Sequence, residues 1–463
     1  MARIIPGVYT NVRTSGVAPT TGVNNGVVGF VGDFVLGPVG EAIVINSLSD
    51  IDTKLGGLAK ADAKNLYAML LQRPRKIKAV RIVGSGAAKA TITLDDATAA
   101  DSLVLTALYE GAYGNDISVQ IASDVLTITY GDIIETYNVG TVLATLVSNI
   151  NNSSEIVTAA AAASATDVPT TVAATDLSGG SDGTINDAAY VGGYNAATDT
   201  RTGLSVLDVD NEVEIVTIGG TPSSTKNTAL LSHADSNLRI AVVPFVATDM
   251  STILSEKSGY ESTDGQRFVA YPNVVFSISG TNTTINAAFP IAGILGRIEP
   301  HRSTANQFIY GAVSLSRGLT TSETEQLILA KVNPITLKGT GYAVRHGLTL
   351  ATSTDWQQIG NRRVFNIIAK DVDDLLDSFT GEPIDAELFA RVVAKLNGYM
   401  SALLSARWIS GYRNICDATL NTAETIALGN LKAQSYVAPV NIAHYLLVDI
   451  NKVVTVTPPS AVE

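Results

Sequence analysis

Residues 438–456 read APVNIAHYLLVDINKVVTV, and from His444 onward the residues alternate. Leu446, Val448, Ile450, Val454 and Val456 fall on one face of an extended strand, with Asp449, Asn451 and Thr455 on the other. Only TPPSAVE follows. A long, β-branched, half-apolar strand left unpaired is the sticky edge that soluble proteins avoid, so this stretch requires a partner sheet, its own or a neighbour's. The beginning of the chain poses the same problem. Ile4-Ile5-Pro6-Gly7-Val8-Tyr9-Thr10-Asn11-Val12 is strand-like as well, with Ile4, Val8, Tyr9 and Val12 as its candidate contact residues. Two such ends predict a protein that joins copies of itself.

Composition sets the frame. A chain of 463 residues fits roughly three domains by length. An apolar content of 46% argues for buried cores, not disorder. No run approaches the ~20 apolar residues of a membrane helix, and Arg3 is not followed by the apolar stretch of a secretory signal. The lone Cys416 excludes an internal disulfide and reads as a small buried filler. Charge divides unevenly: residues 1–86 carry a net +5, residues 87–210 a net −14 and residues 211–463 a net −3. The acidic block reads as one solvated, self-repelling module set into a body with other contacts. The basic footprint that nucleic-acid binding needs is missing.

Taken in order, residues 1–26 form an N-terminal arm and a Gly/Thr/Asn-rich tether. Residues 27–86 begin the core, with strands at Val27–Val31, Ala42–Ile45 and Lys78–Val83 and helices at Ser49–Leu55 and Ala63–Gln72, the latter stopped by Pro74. Residues 87–195 are Ala/Thr-rich and β-like, nearly low-complexity between Ala159 and Ala174, and read as an inserted domain with exposed loops. Residues 196–437 turn α/β. Strands at Glu214–Ile218, Leu238–Pro244 and Phe268–Tyr271 alternate with helices near Thr225–His233 and Ser251–Lys257, which implies a small parallel sheet with crossover helices. Ser322-x-x-Glu325 reads as a capping box before Gln326–Lys331. The strongest helix runs from Asp385 to Trp408. Residues 438–463 form the C-terminal arm.

No catalytic, cofactor-binding or metal constellation emerges. The phosphate loop, the dinucleotide Gly-x-Gly-x-x-Gly and the Gly-x-Ser-x-Gly elbow are missing. His233, His301, His346 and His444 are scattered, without metal-ligand spacing. Asp371, Asp373, Asp374 and Asp377 read as an acidic helix face over inward Val372, Leu375 and Leu376, and Glu299-Pro300-His301 as a surface turn.

Several landmarks then fall in one order. Pro6-Gly7-Val8-Tyr9 is followed by Glu110-Gly-Ala-Tyr-Gly-Asn-Asp-Ile-Ser-Val119 and Ile291-Ala-Gly-Ile-Leu-Gly-Arg297. Asn361-Arg362-Arg363-Val364, Phe389-Ala390-Arg391-Val392 and Asn441-Ile442-Ala443-His444-Tyr445 complete the series. Together they resemble the tail sheath proteins of contractile-tailed bacteriophages and related phage-tail-like particles. At Gly341–Arg345 the chain departs from the Trp-Gly-x-Arg-Thr type of sequence expected there. The resemblance implies an α/β (α+β) multidomain fold: a core with a mixed sheet built from both chain ends, an α/β middle portion, an inserted mostly-β domain and extended terminal β-arms. It implies a non-enzymatic subunit without cofactors, whose arms add strands to neighbouring copies. The copies would form hexameric rings stacked in a helix around a tail tube protein, bounded by a baseplate and a tail terminator. Nucleic acid is not touched directly and no membrane is entered. The sleeve, assembled in the host bacterial cytoplasm and carried on the virion tail or tail-like particle, would shorten to drive the tube through a host envelope for genome ejection. Gly16, Gly22, Gly26 and Pro439 are the hinges this implies.

Two rival readings remain. A Rossmann-like ligand-binding enzyme fits the strand-helix rhythm of 203–276 and demands a cleft with convergent polar groups. A secreted surface-layer or adhesin protein fits the acidic block and demands an export signal.

Overall fold

The computed structural model describes residues 25–163 and 165–443. Its centre is a six-stranded sheet in the order Arg267–Phe268, Ile240–Val242, Ile215–Ile218, Val27–Asp33, Lys76–Ile82 and Ala42–Ile45. Ala42–Ile45 pairs antiparallel at one edge, and every other pairing is parallel. Val27–Asp33 is buried through Gly32, the near-continuous apolar run expected of a parallel strand covered on both faces. The first core portion and the α/β portion are therefore one sheet, because Val27–Asp33 pairs with Lys76–Ile82 on one side and Ile215–Ile218 on the other.

On one face, helices Ala61–Leu71 and Ala288–Arg297 pack over Phe30, whose ring meets Phe289 edge-on at 5.7 Å. Gly293 lets these two helices touch, since a Cβ there would be built into the Met69 carbonyl oxygen. The other face is covered by helix Ser224–Ser236 and the turn Gly203–Val209.

The insert has a core of its own. Helix Leu143–Ser153 packs against two antiparallel sheets, Val172–Asp176/Ser118–Ala122/Val125–Tyr130/Ile133–Asn138 and Thr91–Asp95/Asp101–Ala107/Val157–Ala161. The alanine-rich part of the chain supplies Val157–Ala161, which pairs along Asp101–Ala107; cross-strand hydrogen bonds need no large side chain. Entry and exit of the insert lie side by side, with bridges Ser85↔Thr184, Ala88↔Ser181 and Thr91↔Ser178. Arg81, 1% exposed, fastens the insert to the sheet by donating to the carbonyls of Phe34, Val35, Gly37 and Glu110.

The C-terminal portion comprises helices Ile359–Asp377 and Ala386–Ser405 and a hairpin of Ile409–Ile415 with Gln434–Pro439. Asp385 caps the second helix, its carboxylate accepting from Leu388 N at 2.7 Å. Leu388, Val392, Leu396, Tyr399, Met400 and Leu403 form its buried stripe. Cys416 is buried in the same cluster.

Two sequence expectations change. The capping box is Thr320 with Glu323, not Ser322 with Glu325: Thr320 Oγ1 accepts from Glu323 N at 3.2 Å and Glu323 Oε2 from Thr320 N at 2.9 Å. Thr320-Thr-Ser-Glu-Thr-Glu325 holds two overlapping boxes, and the earlier one starts helix Thr321–Leu329. Asp371 is also not part of a solvated face. It accepts the hydroxyl of fully buried Tyr399 at 2.8 Å, and burial, with Asp374 nearby, pushes its carboxyl up to about 7.

Candidate functional site

The N-terminal ends of strands Val27–Asp33 and Ile215–Ile218 lie next to each other, and Glu214 stands at that edge. Its Oε2 accepts from the Gly26 N–H at 2.7 Å. Arg363, in the first turns of helix Ile359–Asp377, donates from Nε to Glu214 Oε1 at 2.5 Å and from Nη2 to Oε2 at 3.0 Å. Its Nη1 reaches the Ile298 carbonyl at 3.3 Å. The two side chains are 0% and 6% exposed. Gly26 has φ +80°, and a Cβ on it would be built into the Gly296 carbonyl oxygen. Both the left-handed backbone and the close approach thus require glycine. Arg75 closes the outside of the site, donating to Asn25 Oδ1 and pairing with Glu299. Lys370, one helical face further along, donates to the Val213 carbonyl at 2.9 Å. Burial lowers its ammonium to about 8.

The C-terminal end of the described chain reaches the same neighbourhood. A Cβ on Gly360 would meet the His301 carbonyl oxygen at 2.8 Å and Ile442 Cδ1 at 3.1 Å. Val440 N donates to the Trp408 carbonyl at 3.4 Å, and the Trp408 ring lies 6.0 Å from that of His301. Segments 296–301 and 359–363 therefore support both the beginning and the end of the described chain. The hairpin stands beside them. Among the described residues it is a sheet of two strands, so the outer ladder groups of Ile409–Ile415 and of Gln434–Pro439 face away from each other without a strand partner.

At the opposite ends of the same two strands the connections turn to opposite sides of the sheet, which in open parallel sheets is the ligand crevice. Here the chain fills it. Asp62, 2% exposed, accepts from Asp33 N at 2.8 Å, Tyr190 Oη at 2.8 Å, Gly220 N at 2.7 Å and Asn65 Nδ2 at 3.0 Å. Lys226 donates to the Gly219 carbonyl at 2.9 Å and lies 4.2 Å from the Tyr190 ring centroid. Burial lowers the Lys226 ammonium and raises the Tyr190 hydroxyl. The place a phosphate would take on Gly220 and the helix behind it is held by the chain's own carboxylate. The Rossmann-like reading therefore has no open cleft at this point.

Of the residues singled out in the sequence, Ile4, Val8, Tyr9, Val12, Gly16, Gly22, Leu446, Val448, Ile450, Val454 and Val456 lie outside the described residues. Gly26 sits in the Glu214 site, and Pro439 ends the hairpin, opposite Ile409. Glu214, Arg363, Asp62 and Lys226 carried no recognisable signal, although Arg363 belongs to a landmark quoted above. Among the described residues, no group of three or more His, Cys, Asp or Glu is placed to hold a metal ion. No described helix is long and apolar enough to cross a membrane.

Residues 351–452 match the family model of the phage tail sheath C-terminal domain. The fold is similar to the sheath tail protein of Desulfitobacterium hafniense, with 17% identity and TM-score 0.62 over 89% of this chain and 94% of that one. The sheath tail protein of Listeria innocua gives 17% identity and TM-score 0.61 over 87% and 91%. A chain of the helical sheath of the anti-feeding prophage in its contracted state gives 14% identity and TM-score 0.58 over 97% and 99%. No curated protein matches.

Proposed function

We propose that the protein is the subunit of a contractile tail sheath, a structural protein that polymerises into a helical sleeve around a tail tube. The observation that carries this reading is the sheath C-terminal domain match over residues 351–452, on a chain whose fold is similar to that of solved sheath tail proteins over 89% and 87% of its length. The hairpin, without a further strand among the described residues and beside both ends of the described chain, gives it a physical basis. An edge strand accepts an extended segment from another copy through main-chain hydrogen bonds. Each such arm is a weak hook, because apolar burial is largely offset by the entropy of ordering the segment. Several hooks per copy reinforce one another through effective concentration. Arms passed from copy to copy make heterologous contacts, which give rings or open helices.

In this reading Ile4, Val8, Tyr9 and Val12, and Leu446, Val448, Ile450, Val454 and Val456, face the sheets of neighbouring copies in hexameric rings stacked in a helix. The tube, the baseplate and a tail terminator are the other partners. Contraction drives the tube through an envelope, as in a phage tail or a tail-like particle, after assembly in the host cytoplasm. Gly16 and Gly22 are the proposed pivots; Gly26 and Pro439, hinges by the same expectation, are held by the Glu214 carboxylate and by pairing opposite Ile409, and prolines placed in residues 15–24 should permit assembly and block shortening.

The deciding experiment is negative-stain electron microscopy of the full chain, with and without its tail tube, beside a variant ending at Ala443, which keeps the hairpin. Ribbed hollow tubes from the full chain alone support the reading. Monodisperse monomers from both, even with the tube present, overturn it.

A further inference from the structure

We infer that Glu214 and Arg363 are positioning residues for assembly: the buried pair locks Gly26, where the N-terminal arm leaves the body, to the helix and hairpin from which the C-terminal arm leaves. The two ends of the described chain, from which the arms would continue, are then held in one fixed relative position in every copy. In its expectation for tubes this rests on the sheath reading; in its local geometry it does not.

Taking a carboxylate and a guanidinium out of water is not repaid by their attraction alone, and apolar residues of equal volume would stabilise the site as well. What an Arg–carboxylate fork supplies is direction, two parallel hydrogen bonds that admit one orientation. Glu214 has its forked partner in Arg363 and spends an oxygen on the Gly26 N–H, so one carboxylate orients two segments that are far apart in sequence. Gly26 and Gly296 lack side chains toward each other for the same reason: a Cβ on either would press on the other's carbonyl oxygen. Strand pairing adds a second tie, with Glu214 N donating to the Val27 carbonyl at 3.1 Å.

The C-terminal side closes onto the same support. Arg363 also holds the Ile298 carbonyl, and Gly360, one turn before it, lies under His301 and Ile442. A rotation of the helix Ile359–Asp377 that carried Ile442 away would have to break the fork on Glu214, and with it the hold on Gly26. Gly26 is thus an anchor, and a change in arm direction takes place elsewhere along the chain.

The test uses the full-length protein and a double variant, Glu214→Met with Arg363→Met, which keeps the volume filled and removes the direction. Hydrogen exchange at the Gly26 amide is read first. In the wild type it should be protected at least about 100-fold over an exposed amide. In the folded double variant that protection should vanish, and the yield of tubes, counted with the tail tube as template, should fall by about tenfold or more. An unprotected Gly26 amide in the wild type overturns the inference, and so does a folded double variant with undiminished tubes. If the double variant does not fold, the wild-type exchange decides. If the wild type itself makes no tubes, the sheath reading fails and the Gly26 amide still judges the clamp.

Discussion

Asp62 and Glu214 sit at opposite ends of the same pair of strands, and each accepts the backbone N–H of a glycine, Gly220 and Gly26. Their surroundings differ. The groups that donate to Asp62 are neutral, a tyrosine hydroxyl, an asparagine amide and two backbone amides, and the charge near it is the buried Lys226 ammonium, which does not donate to it. Glu214 faces a guanidinium with no exposed surface. Both tie together segments remote in sequence, but at one end the carboxylate closes a crevice with neutral donors, and at the other it joins the first described residues to a buried guanidinium. The chemistry of the acceptor is nearly the same, so the role is set by what the topology brings to it.

That contrast is broken most directly at Glu214. Glu214→Ala should cost about 3–5 kcal/mol in denaturant unfolding, because it strands a buried guanidinium; a loss under about 1 kcal/mol would show that Arg363 finds another acceptor or water. Asp62→Ala should cost less, about 2–3 kcal/mol, since every donor it abandons is neutral. The reverse ranking would remove the distinction between the two ends. Asp371 supplies a pH test away from both. Its carboxyl is raised from 3.8 to about 7 in the folded protein, so the native state binds the proton more tightly than the unfolded chain. Its own contribution to stability should therefore fall as pH rises from about 4 to about 7 and level off above, opposed over much of that window by His233, which burial lowers to about 4. Asp371→Asn should remove that slope, gaining on the order of 2 kcal/mol over the wild type above pH 7 and nothing below pH 4. A difference between wild type and Asp371→Asn that stays flat across this window contradicts the raised carboxyl of Asp371. The smallest effect is expected at the helix cap: Thr320→Ala should cost about 1 kcal/mol, and Ser322→Ala should stay within about 0.5 kcal/mol. Equal losses would return the cap to Ser322.

How far the sequence could be read follows from the range of each interaction. The buried run Val27–Gly32 and the Asp385-capped helix were legible because their signals are local, an apolar stretch and a cap beside a periodic stripe. The union of two stretches into one sheet was not, since parallel pairing of Val28 with Ile215 spans the whole insert and leaves no turn signature. Glu214 looks like a polar residue opening a strand, and its partner lies 149 positions away. Asp62 looks like an acid in the first turn of a helix, an ordinary dipole partner. Lys226, on helix Ser224–Ser236, reads as a surface lysine until the tertiary fold buries it. In each case the residue type was visible and its burial was not.

The paired crossings at Ser85/Thr184, Ala88/Ser181 and Thr91/Ser178 have a consequence for how such a protein changes over time. Because the chain goes out and comes back through one narrow doorway, the body is indifferent to how much polypeptide lies beyond it; the entropy of closing the excursion grows only with the logarithm of its length. The segment between Thr91 and Ser178 is in effect a cassette, open to being lengthened or exchanged while Arg81 keeps its bonds to the Phe34, Val35 and Gly37 carbonyls and gives up only the one to Glu110. A foreign domain with neighbouring termini, spliced between those two residues, would be carried as a passenger on every copy.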